Sequence, residues 1–289
     1  MSRLLRLCLA LLVVAFAAGA AAAQPPVWVV KGHGVTIVLF GSVHLLPPGL
    51  DWQPPKLQRA LAQADDVWFE IPVDDASNLA AGQAALAAGM QPDGQTLSAQ
   101  LSAGDQARLA KAAAACGLPV AGLDRLKPWL ADVTLSVASY RLAGAVINDG
   151  VERQLTAEVP ATAQRRAFET PQEQIGYLAS ASVADQVASL HETLDELQEG
   201  PLSYQRLVRA WMAGDARAIR REALEPMITE APGVYRTLVV ERNRRWVEAI
   251  MNRLQGTGQA VVIVGVGHLV GPESVPALLR ARGVKVEGP

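Results

Sequence analysis

Val35-Thr36-Ile37-Val38-Leu39-Phe40-Gly41-Ser42-Val43-His44 is the stretch whose reading decides the fold. A short apolar, β-branched run that breaks at glycine reads as a buried strand entering a loop. Gly41 permits a sharp turn or a close backbone approach, and His44 follows just beyond the strand's carboxyl end. The same grammar returns near the other terminus, where Val261-Val262-Ile263-Val264 runs into Gly265-Val266-Gly267-His268. In α/β folds the carboxyl edge of the sheet is where ligands and chemistry collect. Two Gly-x-x-His segments therefore deliver two imidazoles to one edge.

Working outward, residues 27–30 and 35–40 flank Lys31-Gly32-His33-Gly34 and predict a β-hairpin, with His33 a solvated imidazole in its turn. Pro47-Pro48-Gly49 keeps the chain in a loop after His44, and Pro54-Pro55 opens a helix reaching to about residue 65. Val67-Trp68-Phe69-Glu70-Ile71-Pro72 is the next strand, stopped by proline. Helices are expected over 76–90, 102–115, 128–146 and 151–158, with strands over 118–123 and 166–169. The chain is then almost wholly helical from 171 to about 255. A strand, a helix over 272–282 and a short strand over 284–286 close it. The fold class is α/β (α+β): one central mixed sheet formed by N- and C-terminal strands, with a large helical insertion at about 171–255.

Residues 1–23 are read as a secretory signal peptide. Arg3 and Arg6 give a basic start, residues 7–18 an apolar stretch, and Ala21-Ala22-Ala23 an end before Gln24. The expected location of the mature domain, residues 24–289, is periplasmic or secreted, with no membrane span after signal cleavage. The sequence has 26 basic and 28 acidic side chains, a net of −2, or about −4 without Arg3 and Arg6. That mild, dispersed acidity gives no support for a nucleic-acid partner. Cys116 is the one cysteine after residue 23, so no internal disulfide is expected, and in its Ala-rich helix it reads as a small buried apolar group.

Glu70 ends its strand as His44 follows one, and the pleat puts it on the face of Trp68. A carboxylate in a sheet covered on both faces must be paired, hydrogen-bonded or bound to metal. Glu169 repeats the pattern after residues 166–168, although Thr170-Pro171 is also a helix entry that suits an acid. In the helix expected over 233–254 the apolar stripe is Val239, Trp246, Ile250 and Leu254. Arg242 and Asn243 fall on the same face, as a charge partner for Glu70 or Glu169 or an oxyanion donor. Two histidines and one or two glutamates form a catalytic ligand set of the His₂Glu kind that activates water. Nitrogen and oxygen donors without sulfur leave zinc, manganese and cobalt open. The same residues also suit a metal-free reaction, with His as general base oriented by Glu. His191-Glu192 lacks a second histidine and reads as helix surface.

Gly41-Ser42-Val43-His44, Phe69-Glu70, Pro128-Trp129, Phe168-Glu169-Thr170 with Glu173-Gln174, Glu241-Arg242-Asn243-Arg244 and Gly265-Val266-Gly267-His268 stand in the order seen in the TraB/GumN family, which this chain resembles from about residue 27 to 286. That family is grouped with the TIKI proteases and, more distantly, with erythromycin-esterase and ChaN-like proteins. The resemblance implies an α/β core with helical insertions and a site in which His44, Glu70 and His268 hold a divalent metal, manganese or cobalt ahead of zinc. It also implies that Glu169 completes the ligand set or takes the proton from the attacking water. Arg242 would hold the site carboxylates or polarise the scissile carbonyl, with Gly41, Asn243 and Gly265 in support. The expected reaction is metal-dependent hydrolysis of a peptide or small-molecule substrate. One departure is Gly150-Val151-Glu152, where relatives usually show Gly-x-Asp; Glu152 carries the charge one methylene further. The family's breadth leaves two alternatives, a non-catalytic periplasmic haem or metal-binding protein and a metal-free His/Glu esterase.

Overall fold

β1 (Val27–Lys31) and β2 (Val35–Ser42) form the expected hairpin, with Val29 opposite Val38. β5 (Gly258–Gly265) runs parallel to β2, pairing Leu39 with Val262 and Ser42 with Gly265, so segments more than 200 positions apart share the centre of the sheet. This computed structural model describes residues 24–200 and 202–289; the segment read as a signal peptide lies outside them. β3 (Asp66–Phe69) lies on the other side of β5 and β4 (Gln164–Ala167) outside β3, both parallel. β6 (Lys285–Glu287) pairs antiparallel with β1. The order is β4-β3-β5-β2-β1-β6, a single mixed sheet. β2, β3, β4 and β5 point the same way, so their four carboxyl ends share one edge.

Ala260, Val261, Ile263 and Val264 are fully buried, which fits a central parallel strand covered on both faces. The helix Pro55–Ala62 opens at the proline pair and buries Leu57, Ala60 and Leu61. Phe40, near the end of β2, stacks on Trp52 with ring centres 5.5 Å apart, and Trp211 lies 5.6 Å from Trp52. The Trp211 indole N–H donates to the Gly41 carbonyl at 2.8 Å. This buried aromatic group fixes the strand end that carries His44, and truncating such a residue costs about 3–5 kcal/mol.

Two expectations change. Residues 118–123 are not a strand: Val120–Leu123 is a one-turn helix entered at Pro119. A short apolar run reads equally as strand or buried helix, and here Leu123 packs with Leu97, Leu109 and Leu135 in a second, all-helical core. The helices expected over 76–90, 102–115, 128–146 and 151–158 form. The helices Asp75–Gly89, Ala103–Ala115, Pro128–Leu142 and Val151–Glu158 make a first helical excursion between β3 and β4. Finally, 233–254 is not one regular helix. Pro232–Tyr235 leads into a π-helix, Arg236–Val240, before the α-helix Glu241–Arg253. π-Turns recur at functional sites, and this one sets the register of the turn that follows, which carries Arg242.

Candidate active site at the carboxyl edge of the sheet

Across the sheet, Glu169 follows β4, Glu70 follows β3, His268 follows β5 and His44 follows β2. Pairing continues beyond the strands: the Phe168 amide donates to the Phe69 carbonyl at 3.0 Å and the Glu169 amide to the Glu70 carbonyl at 2.9 Å. His268 sits in the 3₁₀ turn Val266–Leu269. The Gly265 amide donates to Glu70 Oε1 at 2.6 Å. A Cβ on Gly265 would lie 3.1 Å from Glu70 Oε1, 3.7 Å from His268 Cδ2 and 3.8 Å from His44 Nε2, so the three side chains converge on one glycine. Gly41 supports them from below, because a Cβ there would come within 2.6 Å of Val266 Cγ2 and 2.9 Å of Val266 Cα.

Arg242 and Asn243 both point inward, 5% and 0% exposed, although they interrupt an apolar stripe. Arg242 Nε donates to both Glu169 oxygens at 2.9 and 3.1 Å, and Nη2 donates to Glu169 Oε2 at 2.9 Å and to Glu70 Oε2 at 2.6 Å. Nη1 donates to the Leu238 carbonyl of the π-helix at 3.1 Å and stands 3.3 Å from His268 Nε2. Trp246 Nε1 donates to Glu169 Oε1 at 2.9 Å. Glu169 is thus saturated by Arg242 and Trp246. It is drawn into the cluster but has no place on the wall of the adjoining cleft.

Hydrogen bonds assign the histidine tautomers. Asn243 Nδ2 donates to the Glu273 carbonyl at 2.8 Å, so Asn243 Oδ1 is the acceptor that faces His268 Nδ1 at 2.7 Å. His268 therefore carries its proton on Nδ1 and a lone pair on Nε2. Burial pushes its pKa down to about 3; Arg242 and His44 act in the same direction and Glu70 against them. On the other ring, His44 Nδ1 lies 2.7 Å from Glu152 Oε1, which also accepts from Ser42 Oγ at 2.5 Å. The Glu152 carboxylate raises the His44 pKa, although the side chain is 63% exposed and water screens the pair.

Burial works against the charged forms of Glu70 and Glu152. For Glu70 the guanidinium of Arg242, with His44 and the Gly265 amide, outweighs it and holds the carboxyl well below its usual range. For Glu152 the charge and hydrogen bond of His44, with the Ser42 hydroxyl, do the same.

A cleft of about 240 Å³ opens beside these groups, lined among others by His44, Glu70, Asn78, Glu152, Arg153 and Gln174. Gln174 Nε2 donates to Glu70 Oε2 at 3.0 Å. The sequence reading gave Ser42 and Gln174 no role and left that of Glu152 open. The signal was present at Gly150-Val151-Glu152: a Cβ on Gly150 would collide with the His44 carbonyl oxygen, and the Val151 amide donates to the Val43 carbonyl at 3.1 Å. That segment packs directly behind His44. By contrast His191 lies away from this cluster, hydrogen-bonded to Asp105 at 2.8 Å, and His33 is exposed in its turn.

The donors suit a divalent metal in kind. Each imidazole has Nδ1 held by an oxygen, as metal-bound histidines do. His44 Nε2 borders Gly265 beside Glu70, whereas His268 Nε2 stands against Arg242 Nη1, which an ion would have to displace. Among the described residues, however, no three His, Cys, Asp or Glu side chains stand close enough to hold an ion as they are.

A mixed α/β sheet with two acids and two imidazoles along its carboxyl edge, bridged by a buried arginine, defines the class of protein. The sequence profile of the TraB/PrgY/gumN family matches residues 26–288, and the chain belongs to that family. An uncharacterized protein of Treponema pallidum (strain Nichols) is 23% identical over 271 residues, covering 88% of this chain and 80% of that protein. No solved structure matches.

Proposed function

We propose that this chain is an exported, metal-dependent hydrolase acting on peptides, with His44, Glu70 and His268 as the ligands of a divalent ion. The observation that carries the reading is the shared orientation of the two rings. Asn243 and Glu152 each hold an Nδ1, and both imidazoles border Gly265 beside Glu70 Oε1. The buried guanidinium of Arg242 is shared by two carboxylates, Glu70 and Glu169, and Glu152 stands against His44. Manganese or cobalt is preferred to zinc on family resemblance. Export rests on the basic, apolar and small-residue order of residues 1–23.

A bound ion would supply Lewis-acid polarisation of the scissile carbonyl and lower the pKa of a water. The chain's own residues do the rest. The Gly265 amide and Gln174 fix the two oxygens of Glu70. Arg242 holds Glu70 against Glu169 and directs Nη1 toward His268, where its charge suits a developing oxyanion. Glu169 acts as a positioning residue through Arg242. Glu152 sets the tautomer of His44 at the mouth of the cleft, which takes part of the substrate.

One observation favours a second reading, hydrolysis without metal. Arg242 Nη1 stands against His268 Nε2, leaving His44 and Glu152 as a base and its orienting acid. Metal analysis of protein purified without added metal, followed by a peptide-library cleavage assay with manganese, cobalt and zinc, separates the two. Cleavage restored by one of these ions after chelation supports the metal reading. Cleavage that survives exhaustive chelation supports the second. Stoichiometric haem absorbance without turnover would replace both with a carrier.

A further inference from the structure

Arg153 is the one arginine or lysine among the described residues that line the cleft beside His44 and Glu70. It follows Glu152 directly in the helix Val151–Glu158, whose start is pinned behind His44 by the bond from the Val151 amide to the Val43 carbonyl. Its side chain is 34% exposed, and its one ion pair among the described residues is with Asp75 at 3.7 Å. That distance is too long for a hydrogen bond. Asp75 is wholly exposed, so water screens the pair and it contributes little. Asp75 has its own reason to stand there, as the acid in the first turn of the helix Asp75–Gly89.

The carboxylates of the cleft are already matched. Glu70 is held by Arg242, Gln174 and the Gly265 amide, and Glu152 by His44 and Ser42. Other part-buried arginines of this chain close on a carboxylate: Arg253 takes both oxygens of Asp66 at 2.7 to 3.0 Å, and Arg206 donates to Glu222 at 2.8 Å. Arg153 presents the same planar fork of donors to the cleft, and among the described residues none of them has a hydrogen-bond acceptor. Such a fork fits a carboxylate in two parallel bonds. Beside it Ile71, Pro72 and Val73 make an apolar stretch of wall, and Asn78 adds an amide. The volume, about 240 Å³, lies below the roughly 300–1,000 Å³ of sites for drug-sized ligands, so it suits one residue of a peptide better than an extended chain.

We propose that Arg153 selects the substrate by binding a carboxylate on the residue next to the scissile bond, with Asn78 as a second donor and the apolar wall covering that residue's hydrocarbon. Its place one residue on from Glu152, which orients His44, sets the carboxylate close to the reacting bond. The same chemistry is offered by the free carboxyl terminus of a peptide and by an aspartate or glutamate side chain within one. That the carboxylate belongs to a substrate rests on the hydrolase reading above; that Arg153 binds it does not.

Calorimetric titration of the chelated full chain tests the binding, because no ion is then present for a carboxylate to ligate. The probes are acetyl-alanyl-alanine against its neutral amide, and acetyl-glutamic acid α-amide against acetyl-glutamine α-amide. Saturable binding of at least one acid, about tenfold or more tighter than its neutral counterpart, is expected. Preference for the first acid assigns the fork to a peptide terminus, preference for the second to an acidic side chain. Arg153→Gln should lower acid binding to the level of the neutral probe, and Arg153→Lys should keep part of the preference, having the charge without the fork. Absence of acid binding, equal binding of the neutral probes, or undiminished preference in folded Arg153→Gln protein overturns the proposal. If that variant fails to fold, the acid–neutral comparison on the unaltered chain decides alone. Metal-dependent peptide cleavage with no acid preference would sink this inference and leave the hydrolase reading standing. Acid binding that depends on Arg153 in a chain that cleaves no peptide would do the reverse.

Discussion

Arg242 Nη2 lies 2.6 Å from Glu70 Oε2, joining the helix Glu241–Arg253 to the end of β3 with both side chains almost fully buried. The same guanidinium takes both oxygens of Glu169, so one cation holds two carboxylates that would otherwise face each other at the end of adjacent strands.

Replacing that cation is expected to be among the most damaging single changes. Arg242→Met leaves two buried carboxylates uncompensated, for an expected loss of about 3–5 kcal/mol. Adding Glu70→Gln and Glu169→Gln should recover much of the stability and none of the activity. Urea unfolding midpoints for the single and triple variants check both statements.

Acid should destabilise the metal-free protein before its carboxylates titrate. The His268 pKa falls from an ordinary value near 6.5 to about 3 on folding, so between those values the unfolded chain binds more protons. Stability from this group is present above pH 6.5 and is lost as pH falls below it, by up to about 1.4 kcal/mol per unit. Below about pH 4.5 the lowered carboxyls of Glu70 and Glu152 add losses of the same sign. Unfolding of chelated protein at pH 7 and pH 5 should show the drop, and His268→Phe should flatten it over that interval.

Glu152→Gln removes the carboxylate behind His44 and keeps the size of the side chain. By the behaviour of groups that orient metal-bound histidines, a loss of about 10–100-fold in metal affinity or turnover is expected. Some stability should go with the charge, because Glu152 is mostly buried and also accepts from Ser42, although water screens its pair with the exposed His44 ring. Glu152→Asp tests whether the extra methylene matters; it should retain more activity than the amide.

Gly150→Ala pushes a methyl group into the backbone carbonyl of His44. Backbone on that side has no flexible side chain to give way, so the loop must move and His44 with it. Activity should fall by at least the amount seen for Glu152→Gln, with about 1–3 kcal/mol of stability lost through overpacking. Paired activity and denaturation measurements on this variant check the coupling.

Much of this arrangement was legible in the sequence because it follows from period and punctuation. The β-branched runs that stop at Gly41 and Gly265 read as buried strands of one sheet, and a carboxylate such as Glu70 at the end of an apolar strand must find a partner. Arg242 and Asn243 were visible as polar breaks in an apolar stripe, and both are buried. Which acid each group would meet was not legible, because it depends on strand order: β5 enters between β3 and β2, which places His268 between Glu70 and His44. Gln174 was hidden for the same reason, since its bond to Glu70 spans 104 positions. Residues 118–123 misled because a six-residue apolar run carries no period long enough to separate a strand from a helical turn. The π-helix before Arg242 leaves no mark in the hydrophobic pattern.

The most direct test of the central claim is the manganese content and turnover of three proteins: the unaltered chain, His44→Ala and His268→Ala, each stripped of metal and reloaded. One ion per chain with peptide cleavage in the unaltered protein, and loss of both in each folded variant, is the predicted result. A His268→Ala protein that binds the ion and cleaves at the unaltered rate, or an unaltered chain that takes up no divalent metal, would contradict it.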